Sequence, residues 1–229
     1  GKEHGEVLAV VDAMSVTKIR TGAVSAVATR ALANPDAKVL AILGCGAQGH
    51  SHLNAMAQAL DLTEVRCWDA YAPCGEKLAA AAQEKGLRGV ACATAQEAVQ
   101  GADVICTLTP SKEPILRSGW VKDGAHINAI GACAPTAREL DSDLMARSRV
   151  FCDNIESILH ESGDFLIPLQ EGRYGKEHLL GTVGDVLLGS CPGRGSRQEI
   201  SIFKAVGMAV EDIACAIYLH EQALAAPSN

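Results

Sequence analysis

The stretch VLAILGCGAQGHSHLNAM, residues 39–56, constrains the fold more than any other part of the chain. Five apolar residues, a length that suits a buried strand, run directly into Gly44, Gly46 and Gly49, and an amphipathic segment follows. A G-x-G-x-x-G pattern is weak evidence by itself because glycine is common. Between a strand and a helix it acquires a physical meaning. Gly44 permits the tight turn, Gly46 lets the backbone approach a pyrophosphate, and Gly49 lets the helix pack closely on the strand. Ala47 and Gln48 open that helix, whose free amides point at phosphate charge.

Asp69 supplies the second half of the fingerprint. It closes the next strand, VRCWD, 20 residues after Gly49, where a carboxylate accepts hydrogen bonds from both ribose hydroxyls. With Ala70 beside it, the segment DAYAP brings no Arg or Lys to receive a 2′-phosphate. The pattern therefore predicts a dinucleotide site that favours NAD(H) over NADP(H).

From Val39 onward, apolar runs alternate with Ala-rich helical stretches: VLAIL then 47–60, VRCWD then 74–85, GVAC then 94–99, followed by ADVICTLT, HINAIG and RVFCD. This spacing predicts an α/β fold, a doubly wound parallel sheet covered by helices on both faces. Upstream, GEVLAVVDAM reads as the last strand of another sheet, and SVTKIRTGAVSAVATRALANP as a helix stopped by Asn34 and Pro35. The tail ISIFKAVGMAVEDIACAIYLHEQAL reads as a second long helix ending before Pro227, and the two terminal helices are expected to pack together. The Gly-rich residues 168–199 read as a broken surface region with one or two short helices.

Composition narrows the function classes. Twenty Lys and Arg against 27 Asp and Glu give a net charge of −7, with no basic block to track a phosphate backbone, so nucleic acid is not an expected partner. No apolar run reaches membrane-spanning length, so a membrane is not expected either. Nine scattered cysteines without a C-x-x-C pair read as reduced, buried thiols of a cytoplasmic protein. The chain starts at Gly1 without an initiator methionine and is expected to be processed, trimmed or a fragment. His126 reads as a satisfied core residue. His50 and His52, two apart, do not share a helix face, and no metal site is expected.

The segments RTGAVSAVATRALA (20–33), LGCGAQGHSH (43–52), EAVQGADVICTLTPSKEPIL (97–116), WVKDGAHINAIGACAPTARELD (120–141), ESGDFLIPL (161–169) and FKAVGMAVEDIA (203–214) resemble the ornithine cyclodeaminase/mu-crystallin family, most closely its ketimine-reductase branch. The resemblance implies a Rossmann domain, residues 23–202, between the end of a substrate and dimerisation domain, residues 1–22, and a carboxy-terminal helix, residues 203–229, that packs back on it. It also implies a preceding amino-terminal segment, a homodimer when full length, and exposed apolar surface on residues 7–33.

By the same resemblance Arg20 binds the substrate carboxylate, a role that a planar, permanently charged fork suits. Thr21 lies near the cofactor phosphates. Thr107, Leu108 and Thr109 border the nicotinamide ribose, Ile130 and Gly131 flank the same pocket, and Ala205 falls in the turn over the nicotinamide, where the mu-crystallin branch has Ser. Lys204 is expected to be solvated. Cys133 stands where cyclodeaminases carry an acid/base Asp, and a thiol is a poor replacement for that carboxylate. It is expected to be buried and to line the pocket inertly; as an alternative nucleophile it has no assignable base. Reduction of the C=N bond of a small cyclic imino-acid is thus the implied activity. The resemblance also implies alternatives: thyroid-hormone binding or a structural crystallin role without turnover, or an ornithine cyclodeaminase or alanine dehydrogenase-like enzyme. Mu-crystallins have Asn-Arg at the position of Asp69 and prefer NADPH, so NADP(H) is the cofactor the family implies and NAD(H) the one this residue favours.

Overall fold

A computed structural model describes residues 4–225. In chain order its elements are α1 (Ala13–Leu32), β1 (Val39–Leu43), α2 (Ala47–Ala59), β2 (Glu64–Trp68), α3 (Ala72–Glu84), β3 (Arg88–Ala91), α4 (Ala95–Val99), β4 (Val104–Thr107), β5 (His126–Ala129), α5 (Ser142–Arg147), β6 (Arg149–Cys152), α6 (Ile155–Glu161), α7 (Gly163–Gln170), β7 (Leu179–Thr182), α8 (Val183–Leu188), β8 (Ser201–Lys204) and α9 (Ala209–Ala225). The eight strands form one sheet in the order β3-β2-β1-β4-β5-β8-β6-β7, and every pairing is parallel. The doubly wound α/β fold expected from the sequence is therefore present.

The central strands β1, β4, β5, β8 and β6 bury both faces, as the middle of a parallel sheet requires. Ala41, Leu43, Ile105, Ile127 and Ile202 pack on one side with residues of α4, α5 and α7. Leu40, Ile42, Val65, Val104 and Cys106 alternate with them and pack on the other side against α2 and α3. Farther along that second side, Phe151 and Phe203 meet Ala28 and Leu32 of α1.

Three expectations are corrected. Residues 201–204 are not the start of a long helix but the central strand β8, hydrogen-bonded between β5 and β6. SIFK has too few residues to show a period, and burial on both faces decides its conformation. The boundary drawn between 202 and 203 thus cuts a strand, as that between 22 and 23 cuts α1. Residues 5–12 form no strand, since no neighbouring strand pairs with them. The broken region contains β7 as well as α8. The expected helix stop at Pro227 lies outside the described residues.

Helix α1 is fastened by buried polar contacts as much as by apolar ones. The Gln48 carbonyl, 2.9 Å from His52 Nδ1, fixes the Nδ1–H tautomer, so Nε2 accepts from Ser25 Oγ at 3.0 Å. Four residues along α1, Thr29 Oγ1 accepts from Asn128 Nδ2 at 2.9 Å, and His126 Nε2 donates to Asn128 Oδ1 at 3.3 Å. His126 is the satisfied core histidine that the sequence suggests. The terminal helices α1 and α9 pack together as expected, while Val7, Val10, Met14, Ile19, Ile213 and Ile217 are exposed. The nine cysteines are all unpaired thiols; four are buried, four are half-buried and Cys133 is exposed.

Burial lowers the His52 pKa from 6.5 to about 4. Its folded-state value lies below its unfolded one, so its contribution to stability is complete above pH 6.5 and is lost as pH falls toward 4. Other titrating groups cancel in a comparison with His52→Gln. The stability lost between pH 7 and pH 5, measured by urea unfolding, is expected to be about 2 kcal/mol smaller in the variant; equal losses would show that His52 is not held neutral.

Candidate active site

The sheet register levels the carboxyl ends of the central strands. Leu43 pairs with Trp68 and with Thr107, Thr107 with Ala129, Ala129 with Lys204, and Lys204 with Cys152. The order in which successive strands are added reverses between β1 and β4. Open α/β sheets bind ligands in the crevice at such a point, and there Gly44 and Gly46 face Leu108 and Thr109 across a cavity of about 610 Å³.

Gly44 adopts φ +100°, and an added Cβ would lie 2.8 Å from Leu108 O. Only glycine fits this turn. An added Cβ on Gly49 would stand 2.7 Å from Gly44 O, which is the close helix–strand approach anticipated for it. Gly46 differs, since a Cβ there meets nothing within 4 Å. Its openness is what a backbone left bare for a phosphate would show. Ala47 begins α2, with Gly46 as its N-cap and no side chain capping the free amides.

Asp69 closes the loop from below: Oδ2 accepts from Cys45 N at 2.7 Å and Oδ1 from Tyr71 N at 2.9 Å. Both oxygens retain a lone pair, and Asp69 lines the cavity with Ala70 while no Lys or Arg does. Two buried oxygens near this edge, Gln48 Oε1 and Thr107 Oγ1, have no hydrogen-bond partner. A bare glycine, an uncapped helix start, an acidic strand end and unpartnered polar atoms fit a dinucleotide. Sequence reasoning missed Tyr71, Ser111 and Ile115, which also line the cavity. Loop side chains of this kind carry no spacing signal.

The other expected residues are distributed around this edge. Ile130, Gly131 and Ala205 follow β5 and β8, Ile130 and Ala205 being buried. Thr21 is buried in α1, donates its hydroxyl to Thr17 O at 2.7 Å and does not line the cavity. Arg20 is not free. Its Nη1 donates to Glu211 Oε2 at 2.9 Å and its Nε to Asp212 Oδ1 at 3.2 Å, both on α9. Burial raises the Glu211 carboxyl pKa against the lowering effect of Arg20, and Glu211 Oε1 has no partner. A groove of about 660 Å³ between α1 and α2, lined by Lys18, Arg30, His50 and Asn54 among others, also reaches Ala47 at the start of α2.

Two further expectations are corrected. Cys133 is exposed rather than buried, because it lies in the loop beyond β5; its Sγ turns back to donate to Ile130 O at 3.3 Å, and desolvation raises the thiol's pKa. Lys204 is not solvated but wholly buried. Its place in the centre of the sheet leaves its ammonium to be matched internally, by Ala132 O at 2.8 Å and by Asp164 at 3.0 Å. Asp164 Oδ1 accepts from the amides of Glu139 and Leu140. Glu139, also buried, accepts from Thr109 N, Thr109 Oγ1 and Gly131 N. The readable signal for Lys204 and Asp164 was charge beside apolar residues, in IFKA and SGDFLI; Glu139, in the charged stretch ARELD, carried none. Among the described residues no His, Cys, Asp or Glu cluster is placed to hold a metal, and no helix is long and apolar enough to cross a membrane.

Comparison with known proteins places the chain in a family. The chain is 41% identical over 218 residues to the ketimine reductase mu-crystallin of Mus musculus, covering 95% of this chain and 66% of that one. Its fold superposes on Delta(1)-pyrroline-2-carboxylate reductase of Thermococcus litoralis, solved with NADH and L-proline, with a TM-score of 0.89, 34% identity and coverage of 92% and 65% of the two chains. An archaeal alanine dehydrogenase dimer with bound NAD matches with a TM-score of 0.92, 35% identity and coverage of 97% and 69%. The chain thus spans about two thirds of the length of these relatives. The model of the ornithine cyclodeaminase/mu-crystallin family matches residues 2–226, and the chain belongs to that family.

Proposed function

We propose that this chain is the dinucleotide-binding part of an NAD(H)-dependent reductase acting on the C=N bond of a small cyclic imino-acid. The observation that carries the reading is Gly46, an open position over the start of α2, opposed by Asp69 and by the β4 loop across one cavity. In this reading Gly44, Gly46, Ala47, Gln48 and Gly49 cradle the pyrophosphate, and Asp69 with Ala70 receives the adenosine ribose. Thr107, Leu108, Thr109, Ile130, Gly131 and Ala205 enclose the nicotinamide end. The bound dinucleotide supplies a hydride. A protonated ketimine is already electrophilic, so the chain's own residues have chiefly to orient it and exclude water.

Arg20 takes the substrate carboxylate in exchange for Glu211 and Asp212, which hold its fork in this structure. Thr21, its neighbour, stands near the phosphates in this reading. Cys133 supports reduction over cyclodeamination, because a thiol whose pKa is raised is a weak general base at neutral pH. The exposed apolar faces of residues 7–14 and α9 support burial in a homodimer. NAD(H) rather than NADP(H) is favoured because a 2′-phosphate would meet the Asp69 carboxylate and no cation.

Gly46→Ala separates folding from binding, since its Cβ enters open space. Stability is expected to stay within about 0.5 kcal/mol of the parent, while calorimetry shows NADH affinity reduced at least tenfold by blocked approach of the phosphates. Unchanged affinity would show the loop to be only a turn. Asp69→Asn removes the charge and keeps an acceptor for one of the two loop amides; the NADH-over-NADPH preference is expected to fall by about tenfold, and an unaltered ratio would assign selectivity elsewhere. With cyclic ketimine carboxylates the full-length protein is expected to oxidise NADH, and its inactivity on all of them would sink the substrate assignment.

A further inference from the structure

Glu139 is buried, yet its carboxylate has three donors from two different loops. Thr109 N at 2.6 Å and Thr109 Oγ1 at 2.7 Å reach Oε1 from the loop after β4. Gly131 N reaches Oε2 at 2.8 Å from the loop after β5. The fit leaves no slack, since a Cβ on Gly131 would collide with Thr109 N and Thr109 O and would also press on the Glu139 carboxyl carbon at 2.8 Å. These loops carry Thr109 and Gly131, two of the residues assigned above to the nicotinamide end. Gly131 N also donates to Thr107 O at 3.1 Å, so the Glu139 carboxylate adds a side-chain tie, reaching on to Thr109, between loops whose backbones already meet.

We propose that Glu139 is a positioning residue for the nicotinamide end of the dinucleotide, its anionic carboxylate holding the β4 and β5 loops at the spacing the cofactor needs and its protonation slackening them. The inference rests on the dinucleotide reading above. A neutral carboxyl makes weaker bonds than a charged one, and an added proton on Oε2 would face the Gly131 amide, while one on Oε1 would turn the Thr109 hydroxyl from donor to acceptor.

The charges facing Glu139 set where that switch falls. Asp164, on α7, raises its pKa and Lys204, on β8, lowers it. Asp164 and Lys204 pair with each other, so they offset one another in part. The Cys133 thiol lies in the β5 loop, where Glu139 is among the groups raising its pKa. Asp153, at the end of β6, faces the same region but directs Oδ2 to the amides of Val206 and Gly207. Arg138, adjacent in sequence, turns outward to Ser142 and Glu171. Burial, the largest influence, together with Asp164 brings the Glu139 carboxyl up to about 7, so the switch lies in the physiological range.

The test is calorimetric titration of the 229-residue chain with NAD⁺, which is stable to acid, between pH 5.5 and 8.5. Affinity is expected to rise about tenfold with pH, through a midpoint near 7, as the charged hydrogen bonds form. Glu139→Gln presents a donor to the Gly131 amide and is expected to bind weakly with no pH dependence. A flat profile in the parent, or a parent-like profile in Glu139→Gln, would overturn the proposal while leaving the dinucleotide reading intact. Absence of NAD⁺ binding at every pH would overturn both. If the variant does not fold, carbon NMR of the parent decides: a Glu139 carboxyl titrating with the affinity midpoint supports the proposal, and one titrating elsewhere refutes it.

Discussion

The tightest constraint in the molecule is the contact between the turn after β1 and the loop after β4. Gly44 sits at φ +100° with its hydrogen side toward Leu108 O, and no other residue fits there. The contact brings the first turn of α2 to the point where strand order reverses, which opens the crevice over the carboxyl edge. Asp69 completes it by holding the Cys45 amide from β2. Three consecutive neighbours in the sheet, β2, β1 and β4, are thereby locked to one another through backbone groups, and a shift in any of them moves the whole edge.

A second set of contacts ties the remaining layer to that frame. Helix α1 lies across the sheet with a face of small residues, so close to α2 that a Cβ on Gly22 would come within 2.9 Å of Ser51 O. Apolar burial alone would leave such a helix free to slide, because small side chains interdigitate little. The polar pairs Ser25–His52 and Thr29–Asn128 fix its register, since a displaced helix would leave those groups buried without partners, at a cost of about 1–3 kcal/mol each. Arg194 reinforces the far end, donating to Leu32 O and Ser201 Oγ.

What was legible in the sequence follows from these two devices. The glycine loop, the acidic strand end and the strand–helix alternation are local patterns, and β1 through β6 with α2 to α4 follow from them. β8 was not legible, because a four-residue strand buried between β5 and β6 has no period of its own and its neighbours come from distant parts of the chain. Residues 5–12 misled for the opposite reason: β-branched residues suggest a strand, but a strand exists only where a partner supplies its hydrogen bonds. Lys204 and Glu139 were misread or overlooked because burial of a charge depends on which counter-charge arrives opposite it. Asp164, 40 residues from Lys204, is invisible to any local reading.

The same reasoning separates two kinds of charge in this protein. Around the proposed nicotinamide end, Glu139, Asp164 and Lys204 are fully buried and linked mainly through backbone amides and a carbonyl, so each carboxylate or ammonium holds a segment of chain in place. Removal of Asp164 or Lys204 would leave its partner charged and enclosed, and that coupling makes the pair rigid. Around Arg20 the charges are half-buried within the α1–α9 contact, where Glu211 and Asp212 come from one helix and the guanidinium from the other. Two carboxylates against one guanidinium leave a surplus of negative charge, and a ligand carboxylate must compete with them for the same fork. The first arrangement suits a site whose shape is set by folding; the second suits one whose ion pairs rearrange when a ligand arrives. In the proposed enzyme, the dinucleotide would meet a preformed edge, and the imino-acid would complete its own half of the site by drawing Arg20 away from α9.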